Sequence, residues 1–192
     1  FGDPKQLSGA GINSHHPRVD LDGLIGVAVW EQWTGGTAAS ARIFYSRTQD
    51  GGATWSPRKP AFPVDAEQHY PDVVVLGSRV YVVASMRAGG ETQYQFRAST
   101  DGGKTFGGFQ TVGIGPDAAE ILESSIRVAA YGNKVWLAYN DVMRDGWVRY
   151  STDGGASFPA MSQLESSASV ETTRLRIAND GNNVYVLSGN TD

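Results

Sequence analysis

Apolar residues gather in short, nearly unbroken runs: Gly26-Val27-Ala28-Val29-Trp30, Val80-Tyr81-Val82-Val83-Ala84, Val135-Trp136-Leu137-Ala138-Tyr139 and Val184-Tyr185-Val186-Leu187-Ser188. Each follows a more mixed run that ends in glycine, at Gly23, Gly77, Gly132 and Gly181. Short β-branched runs broken by Asp-Gly, Gly-Ser or Gly-Asn predict tight hairpins. The unbroken runs predict strands covered on both faces. A third strand is predicted at residues 41–46, 93–98 and 146–150, and a more polar fourth strand after each. No stretch carries a sustained helical period.

Between the third and fourth strands lies one motif in three copies: Thr48-Gln49-Asp50-Gly51-Gly52-Ala53-Thr54-Trp55, Ser99-Thr100-Asp101-Gly102-Gly103-Lys104-Thr105-Phe106 and Ser151-Thr152-Asp153-Gly154-Gly155-Ala156-Ser157-Phe158. The aspartates are 51 and 52 residues apart. A fixed period of this length, with four strands in each, predicts a propeller. Asp before Gly-Gly is turn chemistry: the carboxylate accepts from backbone N–H groups just ahead, and glycine supplies positive φ. The closing aromatic is expected to fold onto the apolar side of its own hairpin.

Each copy resembles the Asp-box (BNR repeat) of sialidases and other β-propellers. The resemblance implies an all-β propeller of four-stranded antiparallel blades, with a structural role for Asp50, Gly52, Trp55, Asp101, Gly103, Phe106, Asp153, Gly155 and Phe158, away from any site. The expected divisions are an outer strand over 1–13, blades over 14–64, 65–116 and 117–168, and two inner strands of a partial blade over 169–192. Phe1 fits the closing aromatic of a further box. Three full blades plus parts of a fourth read as part of a larger propeller. The other reading is a small ring that shares a blade between its termini, or takes a strand from a partner chain.

Composition narrows the classes. Twenty-four glycines and 40% hydrophobic residues suit a globular β protein rich in turns. The net charge of −4, with no basic run, speaks against nucleic acid as a partner. No apolar run is long enough to span a membrane. The absence of cysteine excludes disulfides and thiolate metal sites. The start at Phe1, without methionine, reads as a processed or trimmed end.

In a meander blade, the loops between second and third strands share one face with the connectors between blades, and the boxes face the other way. That loop face makes Glu31, Trp33, His69, Tyr70, Asn140 and Asp141 the candidate binding residues. Five residues before the aligned glycines stand Arg18, Asp72, Arg127 and Arg176. The sialidase resemblance implies a carboxylate-holding arginine triad, for which Arg18, Arg127 and Arg176 are the candidates, with Asp72 as the acid. The plainer reading is a ring of Arg–Asp pairs lining a wet channel. The sialidase motif Phe/Tyr-Arg-Ile-Pro is absent. Tyr139, Glu31 and Glu123 are the residues open to a nucleophile–base pair.

Other signals are weaker. His15-His16 with His69 lack a further ligand at metal spacing, so neither metal nor cofactor is expected. Asp20-x-Asp22-Gly23 begins like a calcium loop but reads better as a hairpin turn. Trp33 and Trp147 suit packing or sugar stacking, and Met86 and Met143 suit packing. The chain is thus expected to be a noncatalytic, secreted or cell-surface propeller of bacterial or archaeal type that binds glycan or protein. The alternatives are part of a sialidase-like exo-glycosidase, or an assembly factor of the same repeat family.

Overall fold

The computed structural model describes residues 3–116, 126–164 and 171–191. The first blade is β1 (Ser14–Asp22), β2 (Ile25–Trp33), β3 (Ala41–Thr48) and β4 (Lys59–Pro60). The second is β5 (Glu67–Leu76), β6 (Arg79–Ala88), β7 (Glu91–Ser99) and β8 (Phe109–Ile114). The third is β9 (Arg127–Tyr131), β10 (Lys134–Asn140), β11 (Gly146–Ser151) and β12 (Ala160–Gln163). A two-stranded sheet, β13 (Glu171–Asn179) and β14 (Val184–Thr191), follows. Every pairing is antiparallel and between chain neighbours, which gives three meander blades and part of a fourth. The outer strands β4, β8 and β12 are shorter than most of the strands inside them. β4 is cut to two residues by the prolines at 57, 60 and 63, which cannot donate to a ladder.

The core lies in the seams between blades. Val27, Val29, Ile43 and Tyr45 of the first blade meet Val73, Val75, Val80 and Val82 of the second. Tyr81, Val83, Tyr94 and Phe96 then meet Ile126, Val128, Val135 and Leu137 of the third. Alternate residues of one strand therefore serve opposite seams, which is why β2, β6 and β10 carry unbroken apolar runs at residues 26–30, 80–84 and 135–139.

The seams are also stitched by polar side chains. An innermost strand has no strand beyond it to pair with, so its outer N–H groups need other acceptors. Val75 N–H donates to Asp20 Oδ2 (2.7 Å), Gly77 N–H to Asp22 Oδ2 (2.7 Å) and Val128 N–H to Asp72 Oδ2 (3.1 Å), each from the following blade. The Asp20-x-Asp22 pair thus joins two blades; the hairpin turn itself is made by Gly23 at φ +61°.

Two expectations need correction. Residues 3–13 form no strand. A strand needs a hydrogen-bonding neighbour, and no described strand stands where this segment would pair. Its Asn13 carbonyl instead accepts from Trp33 N–H (3.0 Å). Phe1 lies outside the described residues. Secondly, the closing aromatics pack across the seam rather than only on their own hairpins. Phe106 meets Tyr45 of the first blade edge-on at 5.1 Å, and Phe158 meets Phe96 of the second at 4.9 Å.

Candidate functional site

The three Asp-Gly-Gly turns share one geometry. In the second, Ser99 Oγ donates to Asp101 Oδ1 (2.8 Å) and accepts from Gly103 N–H (3.0 Å). Asp101 in turn accepts from Thr105 N–H (2.9 Å) and Thr105 Oγ1 (2.6 Å). Asp50 and Asp153 repeat the pattern with Thr48 and Thr54, and with Ser151 and Ser157. The hydroxyl and N–H of Thr54 or Ser157 hold Asp50 and Asp153 down at about 2, and those of Thr105 lower Asp101 in the same way. The next residue, Gly51, Gly102 or Gly154, donates its N–H to the β1–β2, β5–β6 or β9–β10 turn of the same blade. The turns thus sit at the end of the blade opposite the β2–β3, β6–β7 and β10–β11 loops.

At the loop end, β1, β5 and β13 each carry a register shift, between His15 and Arg18, His69 and Asp72, and Thr173 and Arg176. Within two of these bulges a non-glycine residue is left-handed, His16 and Tyr70, each at φ +50°. Such strain is uncommon and gathers where a strand must re-aim a side chain.

Two polar clusters result. In the first, Arg18, Asp72, Arg127 and Arg176 hold equivalent places opposite Val29, Val83, Ala138 and Leu187. The three guanidinium groups are posed alike, each Nη1 donating at 2.9 Å to the preceding residue's carbonyl, that of Pro17, Ile126 or Leu175. Arg18 Nε approaches Asp72 Oδ1 to 3.9 Å. Burial pushes the Asp72 carboxyl up, against the pull of Arg127 and Arg18 and the Val128 N–H bond. Burial also lowers Arg127 to about 10; Asp72 opposes that shift, while Arg18 and Arg176 add to it. Arg127 is buried, and among the described residues its Nε has no hydrogen-bond partner.

The second cluster occupies the seam between the first two blades. Glu31, wholly buried, accepts from Trp33 Nε1 (2.7 Å) and meets both His16 Nδ1 and His69 Nδ1 at 3.1 Å. Burial would raise this carboxyl, but the His69 and Trp33 hydrogen bonds and the charges of both histidines outweigh it and hold Glu31 at about 2. The His15 ring meets that of Trp33 at 4.3 Å, and the His16 ring that of Tyr70 at 4.5 Å, both tilted. Burial, then the Glu31 charge, pushes the Tyr70 hydroxyl up to about 12.

Four of the six expected face residues, Glu31, Trp33, His69 and Tyr70, thus come together. Glu31 and Trp33 belong to strand β2 rather than to a loop, because β2 stays paired with β3 as far as Trp33 and Ala41. Asn140 and Asp141 stand apart, in the third blade. Asp141 caps its own loop, accepting from Met143 N–H, Asp145 N–H and Trp147 Nε1, and the half-buried Trp147 packs against the core between the second and third blades. Tyr139 lies in the next seam with its hydroxyl on Met161 Sδ, so it does not meet Glu31. Glu123 lies outside the described residues. Sequence reasoning passed over Glu67, whose Oε1 takes His69 Nε2 at 2.9 Å. Its signal was the two-residue spacing that puts both side chains on one face of a strand. Among the described residues no cluster has the geometry of a metal site. A cavity of about 410 Å³ beside the first blade is lined by Leu7, Arg18, Val19 and Trp30 and is mainly apolar.

No family model matches the chain, and no curated protein matches it. Solved structures do. A sialidase from Trypanosoma rangeli, bound to 2,3-difluorosialic acid as a covalent intermediate, aligns with a TM-score of 0.62 at 12% identity, over 92% of this chain and 34% of that one. The fold is that of a sialidase-like β-propeller. A Hadza microbial sialidase aligns at 0.58 and 14% identity, over 85% of this chain and 39% of its own. A mutant NanB sialidase from Streptococcus pneumoniae aligns at 0.54 and 14% identity, over 84% and 25%. The chain therefore spans roughly a quarter to two fifths of these sialidase-like propellers. No described helix is long and apolar enough to cross a membrane.

Proposed function

We propose that the chain supplies blades of a carbohydrate-recognising propeller that takes an acidic sugar on its loop face without cleaving it. The observation that carries this reading is the shared register and pose of Arg18, Arg127 and Arg176, with Asp72 as the one carboxylate among them. Three guanidinium groups against one carboxylate give that cluster a surplus of positive charge. The planar fork of arginine matches the carboxylate of a sialic or uronic acid. Among the described residues the Nε of buried Arg127 has no partner, and it is a donor that such an anion can satisfy. The candidate nucleophile Tyr139 lies in a different seam from Glu31, which favours recognition over cleavage. A secreted or cell-surface location goes with a glycan ligand.

The second reading, part of a sialidase-like glycoside hydrolase, is favoured by Asp72, whose buried carboxyl is raised as a general acid requires. Calorimetry and a fluorogenic sialoside separate the two. The first reading expects N-acetylneuraminate to bind, a neutral hexose not to bind, and no turnover. Arg176→Lys, at an exposed position, should weaken binding about tenfold or more, the worth of one hydrogen bond to a charged group. Turnover that Asp72→Asn abolishes with affinity kept would establish the second.

A further inference from the structure

His69 offers a device that the arginine register does not use. Its ring is buried in the seam between the first two blades, with Nδ1 3.1 Å from Glu31 Oε2 and Nε2 2.9 Å from Glu67 Oε1. A neutral imidazole carries one N–H. It could donate to one of these carboxylates and would have to turn a lone pair on the other; only the imidazolium donates to both. Among the described residues, two further charged groups face these carboxylates. From β1, His16 Nδ1 faces Glu31 at 3.1 Å; from β6, Arg87 Nη1 faces Glu67 at 4.0 Å. The ring of Tyr70 stands 5.9 Å from that of His69. From β6, Ser85 Oγ donates to the His69 carbonyl at 3.1 Å, which fixes the backbone from which the ring projects.

We propose that His69 is a proton-operated latch between the first and second blades. It is closed while the imidazolium joins Glu31 of one blade to Glu67 of the other, and released when the ring loses its proton. The latch spans the two strained bulges, His16 in β1 and Tyr70 in β5. It lies just before Arg18 and Asp72, which meet across the same seam at 3.9 Å. Release therefore loosens the loop end of the seam, while the apolar core and the Asp20 and Asp22 stitches hold the rest.

The sign follows from the surroundings. Burial opposes the imidazolium charge, but the hydrogen bonds and charges of Glu31 and Glu67 raise His69 above its ordinary value of 6.5. A raised group stabilises fully below its open-state value and loses that contribution as pH rises through its closed-state value. The latch is thus closed at pH 6.5 and below and opens on the alkaline side. Near pH 2, protonation of Glu31 removes its anchor.

The test is a pH series on the chain, with imidazole ¹³C and ¹⁵N resonances and amide hydrogen exchange read together. Below its midpoint His69 should carry protons on both ring nitrogens, and that midpoint should lie above 6.5. Exchange protection at 29–33 and 67–70 should fall through the same midpoint, about tenfold for each unit of displacement above 6.5. Glu67→Gln should lower the midpoint and carry the step in protection with it. A His69 with one ring proton throughout, or protection flat across its titration, overturns the latch. So does a Glu67→Gln chain whose titration moves while its protection step stays; if that variant fails to fold, the wild-type series alone decides.

Discussion

Gly103 and Gly155 each meet two demands. Both are left-handed, at φ +75° and +85°, and both press on the preceding blade. A Cβ at Gly103 would lie 3.1 Å from Val27, and one at Gly155 would run into the Phe96 ring. Gly52 has a similar φ, +96°, but only Trp55 of its own turn within reach. Gly52→Ala should therefore cost about 1–2 kcal/mol for the left-handed backbone alone. Gly155→Ala should add about 1–3 kcal/mol of overpacking, measured by denaturant unfolding. The turns also set an acid limb. Asp50 and Asp153 are depressed from 3.8 to about 2, so their contribution is complete above pH 3.8 and lost as pH falls through about 2. Asp101→Ala should lower the melting temperature at neutral pH, flatten that limb, and leave ligand affinity unchanged. The turns and their aspartates were legible because the residues that make them are contiguous. The seam contacts of Phe106 and Phe158 were not, because their partners Tyr45 and Phe96 are distant in sequence and set only by how blades stack.

At the scale of elements, the inner strands pose the main problem, since each has an edge with no strand beyond it. Asp20, Asp22 and Asp72 meet that need from the neighbouring blade. Asp20→Ala would strand the Val75 N–H in a buried strand, at a cost of about 1–3 kcal/mol. Hydrogen exchange should show the Val75 amide losing protection while Val128, held by Asp72, keeps its own. Asp20-x-Asp22 looked like turn chemistry because two-residue alternation on one face and a calcium-loop start are the same string of letters. Nothing in that string tells which neighbour the carboxylates face. The bulges left a fainter trace. The arginine register was readable by counting back from the glycines, and the two bulges share the string His-x-Pro, His15-His16-Pro17 and His69-Tyr70-Pro71, whose proline cannot donate to the ladder, but that string does not say where the neighbouring side chains are sent. Glu31, Trp33, His69 and Tyr70 converge only because those bulges re-aim the chain.

For the whole molecule, the seams dictate what can lie at each face. Alternation sends Val19 and Leu21 of β1, and Tyr185 and Leu187 of β14, to the outward sides of the first and last described sheets, where all four are exposed. The turn face is occupied by backbone hydrogen bonds. The loop face gathers the arginines, the aromatic pairs and the buried carboxylate. The solved sialidases support this layout as a fold, at 12–14% identity. The most direct measurement maps arginine Nε and backbone amide shifts of the chain while N-acetylneuraminate is added. Saturable shifts at Arg18, Arg127 and Arg176, with the three Asp-Gly-Gly turns unmoved, are the predicted result. Shifts confined to the turn face, or none at concentrations that a neutral hexose cannot match, would contradict an acidic-sugar site on the arginine register.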